Sequence, residues 1–399
     1  TMAIIIDDTC RVFTLQTKNS TYQMKADAQD VLLHTYYGEM TDNSDKSLLF
    51  YQADRGFSGN PYELGKIDRT YSLDSLSQEY SSFGTGDYRI TSLRVQNGDG
   101  SQAAQLRYTG YCVQKGKYGI VGMPAVYADD EEAQTLVIRL EDSCSGMEVE
   151  LYYGVLDELD VITRAVRITN QGTQDIVLKK AASMNLDWEY GDFQWISFYG
   201  RHGMEMNFQR EGIHHGIQAI GSVRGSSSHQ YNPFVILCEK GADETMGSCY
   251  GFTFVYSGEF LIEAEKDQID RTRLICGIHP DNFSWTLHGG DTFWVPEVIM
   301  THSGNGIGKV SRNLHKAIRE HICRGEWKDR QRPVLINNWE ATYFTFTGEK
   351  LIAIAKEAKR LGIELFVLDD GWYGKREDDS TGLGDWFPNE EKLGCTLKE

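Results

Sequence analysis

The sequence predicts a multidomain β plus α/β fold, in which a large antiparallel β-sandwich is followed by the opening β-α-β of a parallel α/β domain. Three observations predict it. Short alternating segments bounded by turn residues fill positions 1 to about 305, the pattern of antiparallel sheets with one wet face. The apolar spacing then lengthens behind a glycine-rich stretch, "MTHSGNGIGKV". Finally, residues 333 to 372 read as strand, helix, strand. The boundaries that follow are 1–308 for the β domain, 309–332 for a linker helix and 333–399 for the start of the parallel domain.

In the β domain, "TLVIRLED" points Leu136, Ile138 and Leu140 one way. "MEVELYYGVL" alternates Met147, Val149 and Leu151, and "VITRAVRITNQG" repeats the habit before closing in Asn170, Gln171 and Gly172. No fixed-period repeat is present, which disfavours a propeller or solenoid. Gly304, Gly306 and Gly308 then precede "KVSRNLHKAIREHIC", where Val310, Leu314, Ile318 and Ile322 recur every four residues and define one face of the linker helix. Val334 to Ile336 form a short buried strand. Thr347 caps a helix with apolar positions Leu351, Ile352, Ala355, Ala358 and Leu361, Gly362 ends it, and Ile363 to Leu368 form the second strand. Parallel strands in such a unit are expected to be buried on both faces, as in a doubly wound sheet or the opening of a (β/α)8 barrel.

Composition restricts the partners. With 58 acidic against 40 basic residues the formal charge is −18, which repels phosphate backbones and anionic lipid, so neither nucleic acid nor a membrane is expected as a partner. The start, "TMAIIIDDTCRVFTL", has an apolar run too short for a membrane span and lacks secretory-signal flanks, so a cytoplasmic chain is expected. Eight cysteines occur without a C-x-x-C pair and read as reduced, mostly buried thiols, with neither zinc nor a disulfide framework. The 12% aromatic content, 21 tyrosines included, fits both sugar stacking and sheet packing.

Both strands of the parallel pair end in polar and aromatic residues, where parallel α/β folds bind ligands. The first ends in Asn337, Asn338, Trp339 and Glu340, the second in Asp369, Asp370, Gly371 and Trp372. Carboxylates accept charge-assisted hydrogen bonds from hydroxyls, indoles pack on the C–H face of a pyranose, and a glycine lets the chain turn close to a ligand, so this set suits a sugar. An aspartate pair after a strand also fits a helix cap or a solvated turn. Adjacent carboxylates can hold Mg2+, yet no further Asp, Glu or His nearby completes a ligand pattern, so neither metal nor cofactor is expected.

At these residues "RPVLINNWEATYF", "FVLDDGWYGKREDD" and "GLGDWF" resemble the first part of the catalytic barrel of bacterial α-galactosidases of glycoside hydrolase family 36. Upstream, "DRGFSGNPYELGKIDRTYSLDSLSQEYSSFGTGDYR" and "QAIGSVRGSSSHQYNPFVIL" resemble the amino-terminal β-supersandwich of that family. The resemblance implies a β-supersandwich followed by the incomplete start of a (β/α)8 barrel, in a homotetramer. It further implies retaining hydrolysis of terminal α-linked galactose in oligosaccharides such as melibiose or raffinose. In the family the catalytic aspartates, one in a Lys-Trp-Asp motif, lie on later strands and loops. No catalytic residue is therefore expected among these residues; the pair is expected beyond Glu399, and the 399 residues alone are expected to be inactive. A non-catalytic galactose-binding or assembly module is the alternative, as is a related α-N-acetylgalactosaminidase or transglycosylase.

Residue by residue, Asp369 and Asp370 resemble the pair that holds the galactose hydroxyls, and Trp339 the indole lining that subsite. Asp54, in "ADRGFSGNP", resembles a loop that reaches a neighbouring subunit's site, though the same residues fit a surface turn. His202, in "FYGRHGMEMNF", stands where many relatives carry a sugar-contacting indole; a merely packed or exposed histidine fits as well. Ser227, Ser228, His229 and Asn232 read as a hydrogen-bonded turn rather than a Ser/His nucleophile system. Asp385 and Trp386 match the family in the loop after the second strand.

Overall fold

The computed structural model describes residues 3–54, 56, 68–189 and 192–399 and divides into two compact units, Thr1–Cys323 and Arg324–Glu399. Most of the "ADRGFSGNP" motif lies outside the described residues; Asp54 and Gly56 lie within them.

The first unit is built from antiparallel sheets. β1 (Ile4–Asp7), β2 (Val12–Gln16), β3 (Ser20–Ala26) and β4 (Leu32–Glu39) form a meander. Then follow β5 (Leu93–Gln96), β6 (Arg107–Lys115), β7 (Gln134–Asp142), β8 (Met147–Leu156), β9 (Val161–Asn170), β10 (Ile176–Trp188), β11 (Phe193–Arg201) and β12 (Met204–Gly212). The remainder are β13 (Gly216–Ser222), β14 (Tyr231–Glu239), β15 (Cys249–Phe254), β16 (Phe260–Lys266), β17 (Thr272–Ile278), β18 (Trp285–Leu287) and β19 (Thr292–Ser303). Among the described residues they assemble into a nine-stranded sheet, β12-β11-β14-β15-β19-β9-β8-β7-β6, and a six-stranded sheet, β13-β16-β17-β10-β18 with β5 on β10.

Strand alternation explains the core. Leu136, Ile138, Met147, Val149 and Leu151 all point inward, joining Phe13, Leu15 and Met24 of the meander and Leu178, Leu186, Ile262 and Leu274 of the six-stranded sheet in one cluster. Many tyrosines belong to this core rather than to a surface: Tyr22, Tyr37 and Tyr250 are buried, with ring centroids 5.2 Å (Tyr22–Tyr37) and 5.4 Å (Tyr37–Tyr250) apart. The cysteines are less buried than expected. Cys238, Cys249 and Cys276 are inside, while Cys10, Cys144 and Cys323 are exposed, because these last stand in turns and loops.

Helix α1 (Gly306–His321) packs inside the first unit, on the other face of the nine-stranded sheet, where Val310, Leu314 and Ala317 meet Ile236, Cys238 and Ile299. The residues that follow it, 322–334, are not helical, so the helix ends well short of residue 332. Its expected face is also corrected. Steps of four residues drift about 40° from the 3.6-residue turn. Ile318 accordingly rotates out to 38% exposure, and Ala317 and His321 continue the buried stripe. Asn305 caps nothing with its side chain. Instead the first helical amides are met by a turn: Gly306 N donates to Gly247 O (3.0 Å), Ile307 N to Asp243 O (2.8 Å) and Gly308 N to Glu244 O (3.0 Å). The glycines thus serve close packing, since a Cβ at Gly308 would stand 2.6 Å from Glu244 O.

The second unit contains β20 (Leu335–Asn337) and β21 (Leu365–Val367), paired in parallel with Ile336 opposite Phe366, and α2 (Trp339–Thr342), α3 (Gly348–Arg360) and α4 (Glu390–Leu393). The Thr347 hydroxyl caps α3 by accepting from Lys350 N. The expectation of strands buried on both faces fails in part. Val334, Leu335 and Leu365 are exposed, and so are Ile352 and Leu361. One helix and a pair of strands cover one side only: Phe366 and Leu368 pack with Phe346, Leu351 and Leu393, and the remaining apolar atoms have no layer over them. Among the described residues no helix is long and apolar enough to cross a membrane.

Candidate functional site

Because β20 and β21 are parallel, Trp339 and the Asp369–Asp370 pair fall at the same, carboxyl end of the pair. Two asparagines stitch these ends together. Asn338 is fully buried; its Oδ1 accepts from Asp369 N (2.7 Å) and its Nδ2 donates to Thr342 Oγ1 (2.9 Å). Asn337 Nδ2 donates to Asp369 Oδ2 (2.5 Å), while its Oδ1 accepts from Trp339 N (2.7 Å). Asp369 Oδ1 in turn accepts from Asp370 N at 2.7 Å, so that carboxylate is held on both oxygens.

Asp370 has a partner that the sequence reading did not single out. Arg376 Nε donates to Asp370 Oδ1 (2.7 Å) and Oδ2 (2.9 Å), and Arg376 Nη1 donates to Thr381 O (2.6 Å). Hydrogen bonding from Arg376 holds the Asp370 carboxyl below its ordinary acid range, with the Tyr373 hydroxyl and Gly371 amide adding to it and burial opposing. The side chain nevertheless keeps 20% exposure, so it is ionised, oriented and reachable.

The aromatic walls are packed edge to face. Trp339 lies 4.9 Å from Phe344 and 5.3 Å from Tyr343, both near perpendicular. Tyr343 takes φ +45°, a strained value for a non-glycine residue, where the chain leaves α2. Gly371, at φ +86°, lets the second loop pass over the first: a Cβ there would stand 2.9 Å from Phe344 Cδ1. Lys392 Nζ donates to Gly371 O (2.8 Å) and fixes that turn from α4. Tyr373 stacks with Trp386 at 4.7 Å, and Trp386 and Phe387 are both exposed. Trp339, Asp369 and Asp370 are thus assembled with Arg376 and Phe344 into one surface of the second unit.

Asp54 and His202 belong to the first unit. Asp54 is exposed and forked by Arg69, whose Nε and Nη2 each lie 2.9 Å from its oxygens, and it accepts from Gly56 N (2.7 Å). His202 is exposed in the two-residue turn joining β11 and β12, where Arg201 pairs with Met204. In the "SSSHQYNPF" turn, Ser228 Oγ accepts from Gln230 N (3.2 Å), a side-chain-stabilised turn. Among the described residues no group of three or more His, Cys, Asp or Glu converges as a metal site.

The chain was compared with known proteins. The family model for the glycosyl hydrolase family 36 N-terminal domain matches residues 30–288, and the melibiase model matches 292–399. The bifunctional alpha-galactosidase/sucrose kinase AgaSK of Mediterraneibacter gnavus is 54% identical over 100% of this chain and 42% of its own length. Alpha-galactosidase AgaA of Geobacillus stearothermophilus is 43% identical over 98% of this chain and 54% of its own. Among solved structures, the galactosidase domain of AgaSK superposes with a TM-score of 0.96, at 54% identity, covering 99% of this chain and 55% of that one. AgaB of G. stearothermophilus gives 0.94 at 44% identity, covering 99% and 54%. The chain therefore spans about half the length of the relatives it matches. With the N-terminal family model covering residues 30–288 and a relative 54% identical along the whole of this chain, the chain belongs to glycosyl hydrolase family 36.

Proposed function

We propose that the protein hydrolyses terminal non-reducing α-linked galactose from oligosaccharides such as melibiose and raffinose, with retention at the anomeric carbon. The strand-end loops of the second unit then form one wall of the galactose subsite. The observation that carries this reading is Asp370, oriented by Arg376 and partly exposed at the carboxyl end of the parallel strand pair that also carries Trp339. Relatives support it by their ligands: AgaA was solved with 1-deoxygalactonojirimycin, raffinose and stachyose.

In this reading the chemistry of the pair is recognition. Asp369 and Asp370 accept from neighbouring sugar hydroxyls through lone pairs left over by Asn337 and Arg376, and the Trp339 indole covers a C–H face. They do not break the bond. Retention needs a nucleophile and an acid/base on opposite sides of the anomeric carbon, with carboxyl groups ~5–5.5 Å apart. Consecutive residues joined by the Asp370 N to Asp369 Oδ1 hydrogen bond address the sugar from one wall, so the nucleophile and the acid/base are other residues. The antiparallel sheets are read as the family's β-supersandwich and the β-α-β as the start of a (β/α)8 barrel. The enzyme is read as a cytoplasmic tetramer in which the Asp54 loop reaches a neighbouring subunit's site and His202 stands where relatives carry a sugar-contacting indole.

The test is made on the protein expressed at its native length, with raffinose as substrate and NMR detection of the first-formed product. Release of α-galactose before mutarotation is expected. The isosteric Asp370→Asn is expected to lower kcat/KM by about ten- to hundredfold, the value of one charge-assisted contact to a hydroxyl. β-Galactose appearing first, or unchanged kinetics in a folded Asp370→Asn variant, overturns the reading.

A further inference from the structure

We propose that Arg376 is a positioning residue of the sugar site, holding the Asp370 carboxylate in the orientation that receives a sugar hydroxyl. The proposal rests on the assignment of Asp370 as a sugar ligand.

Arg376 is 6% exposed, rare for an arginine without a partner that compensates its lost hydration. Its partner is Asp370, and the geometry is specific. The single Nε hydrogen is shared between both carboxylate oxygens, at 2.7 and 2.9 Å, and the Gly371 amide binds Oδ1 at 2.7 Å, so the two contacts together orient the carboxylate and leave Oδ2 as the oxygen with lone-pair capacity for a ligand. The guanidinium is itself held: Nη1 donates to Thr381 O (2.6 Å), and Cζ lies 5.8 Å from the Phe344 ring centroid.

The loop bearing Arg376 is closed on its own base. Gly374 N donates to Phe387 O (2.9 Å), Asn389 Nδ2 to Gly374 O (2.8 Å) and Asn389 N to Trp372 O (2.9 Å). Side chain and loop together make a rigid support, the arrangement in which a second group sets the precision of the first. A lysine is a flexible point charge and cannot reproduce the planar guanidinium that binds Asp370 through Nε and Thr381 O through Nη1. The other charged or titratable groups bearing on the pair are Asp369, Tyr373 and Lys392, with Glu377 and Asp379 on the same loop.

The experiment uses the native-length enzyme, an α-galactoside substrate and four variants: Arg376→Lys, Arg376→Ala, Asp370→Asn and, as control, Arg360→Lys, whose exposed partner is Glu357 on α3. Arg376→Lys is expected to lose about ten- to hundredfold in kcat/KM. Arg376→Ala is expected to lose at least as much and to regain activity when guanidinium is added. Without the Nε contact, the Asp370 acid rises toward the ordinary carboxylate range, so the acid limb of kcat/KM is expected to move to higher pH in both Arg376 variants. Activity in folded Arg376 variants equal to that of the control, while Asp370→Asn is impaired, overturns the proposal. Loss of folding in both Arg376 variants, with no rescue by guanidinium, also overturns it by making the residue structural. Silence of Asp370→Asn instead removes the sugar-ligand assignment itself, so the two failures are distinguishable.

Discussion

His302 on β19 is 1% exposed, with Nε2 2.9 Å from Ser248 Oγ and its ring 4.7 Å from that of Tyr250. Burial pushes its imidazolium from the ordinary 6.5 down to about 4, against a smaller opposing pull from Asp160. The folded state therefore carries it neutral where the unfolded chain would already be protonated. Its contribution is complete above pH 6.5 and is lost as pH falls from 6.5 towards 4. Between pH 7.5 and 5 the parent should lose about 2 kcal/mol more unfolding free energy than His302→Gln, at 1.36 kcal/mol per pH unit below 6.5. Urea titrations at both pH values check this, and equal losses in the two proteins would mean that His302 titrates normally. Legibility at this scale follows sequence separation. Asp369, Asp370 and Trp339 were readable because strand ends of a parallel unit are defined by local pattern. Arg376 was not, because "KREDD" reads as a solvated charge run, and only the fold of the following loop turns that arginine inward. Asp54 likewise hid its partner, Arg69, fifteen positions away along the chain.

At the scale of elements, the alternating strands were legible because one face of each sheet meets the shared core, as Leu136, Ile138 and Leu140 do. The helix α1 was legible as a helix but not in its face or its surroundings. A row of every fourth residue predicted Ile318 inside, whereas the true 3.6-residue turn carries Ala317 there. The three glycines marked a domain boundary in the sequence, and a sequence cannot distinguish a flexible glycine from one pressed against a distant carbonyl. The difference is measurable. Gly308→Ala should destabilise the protein by about 1–3 kcal/mol, since its Cβ would meet Glu244 O at 2.6 Å and the amide of residue 308 is tied to that same carbonyl. Ile318→Ala, at a half-exposed position, should cost less than about 1 kcal/mol. Thermal or urea unfolding of both variants decides it, and a neutral Gly308→Ala would show the helix start to be loosely seated.

At the scale of the chain, the described residues form two units that differ in how much apolar surface they bury. The first, ending at Cys323, buries apolar residues from three sheets in one cluster and covers the outer face of its largest sheet with α1. The second, from Arg324, has a small core of Phe346, Leu351 and Leu393 and leaves Val334, Leu335 and Leu365 exposed on its strands. The segment between α1 and β20, residues 322–334, has no helix or strand and presents Arg324 and Arg330 in exposed positions. Proteolysis is favoured where a basic residue stands on exposed backbone outside regular secondary structure, and this segment supplies both. Brief trypsin treatment of the chain should therefore yield an amino-terminal fragment ending between Arg324 and Arg330, identified by intact mass. That fragment should melt cooperatively with the antiparallel-sheet circular dichroism of the parent, because none of its buried contacts in the core cluster comes from beyond Cys323. Rapid loss of the fragment, or a broad non-cooperative melt, would mean that the β unit depends on residues after 323 for its stability.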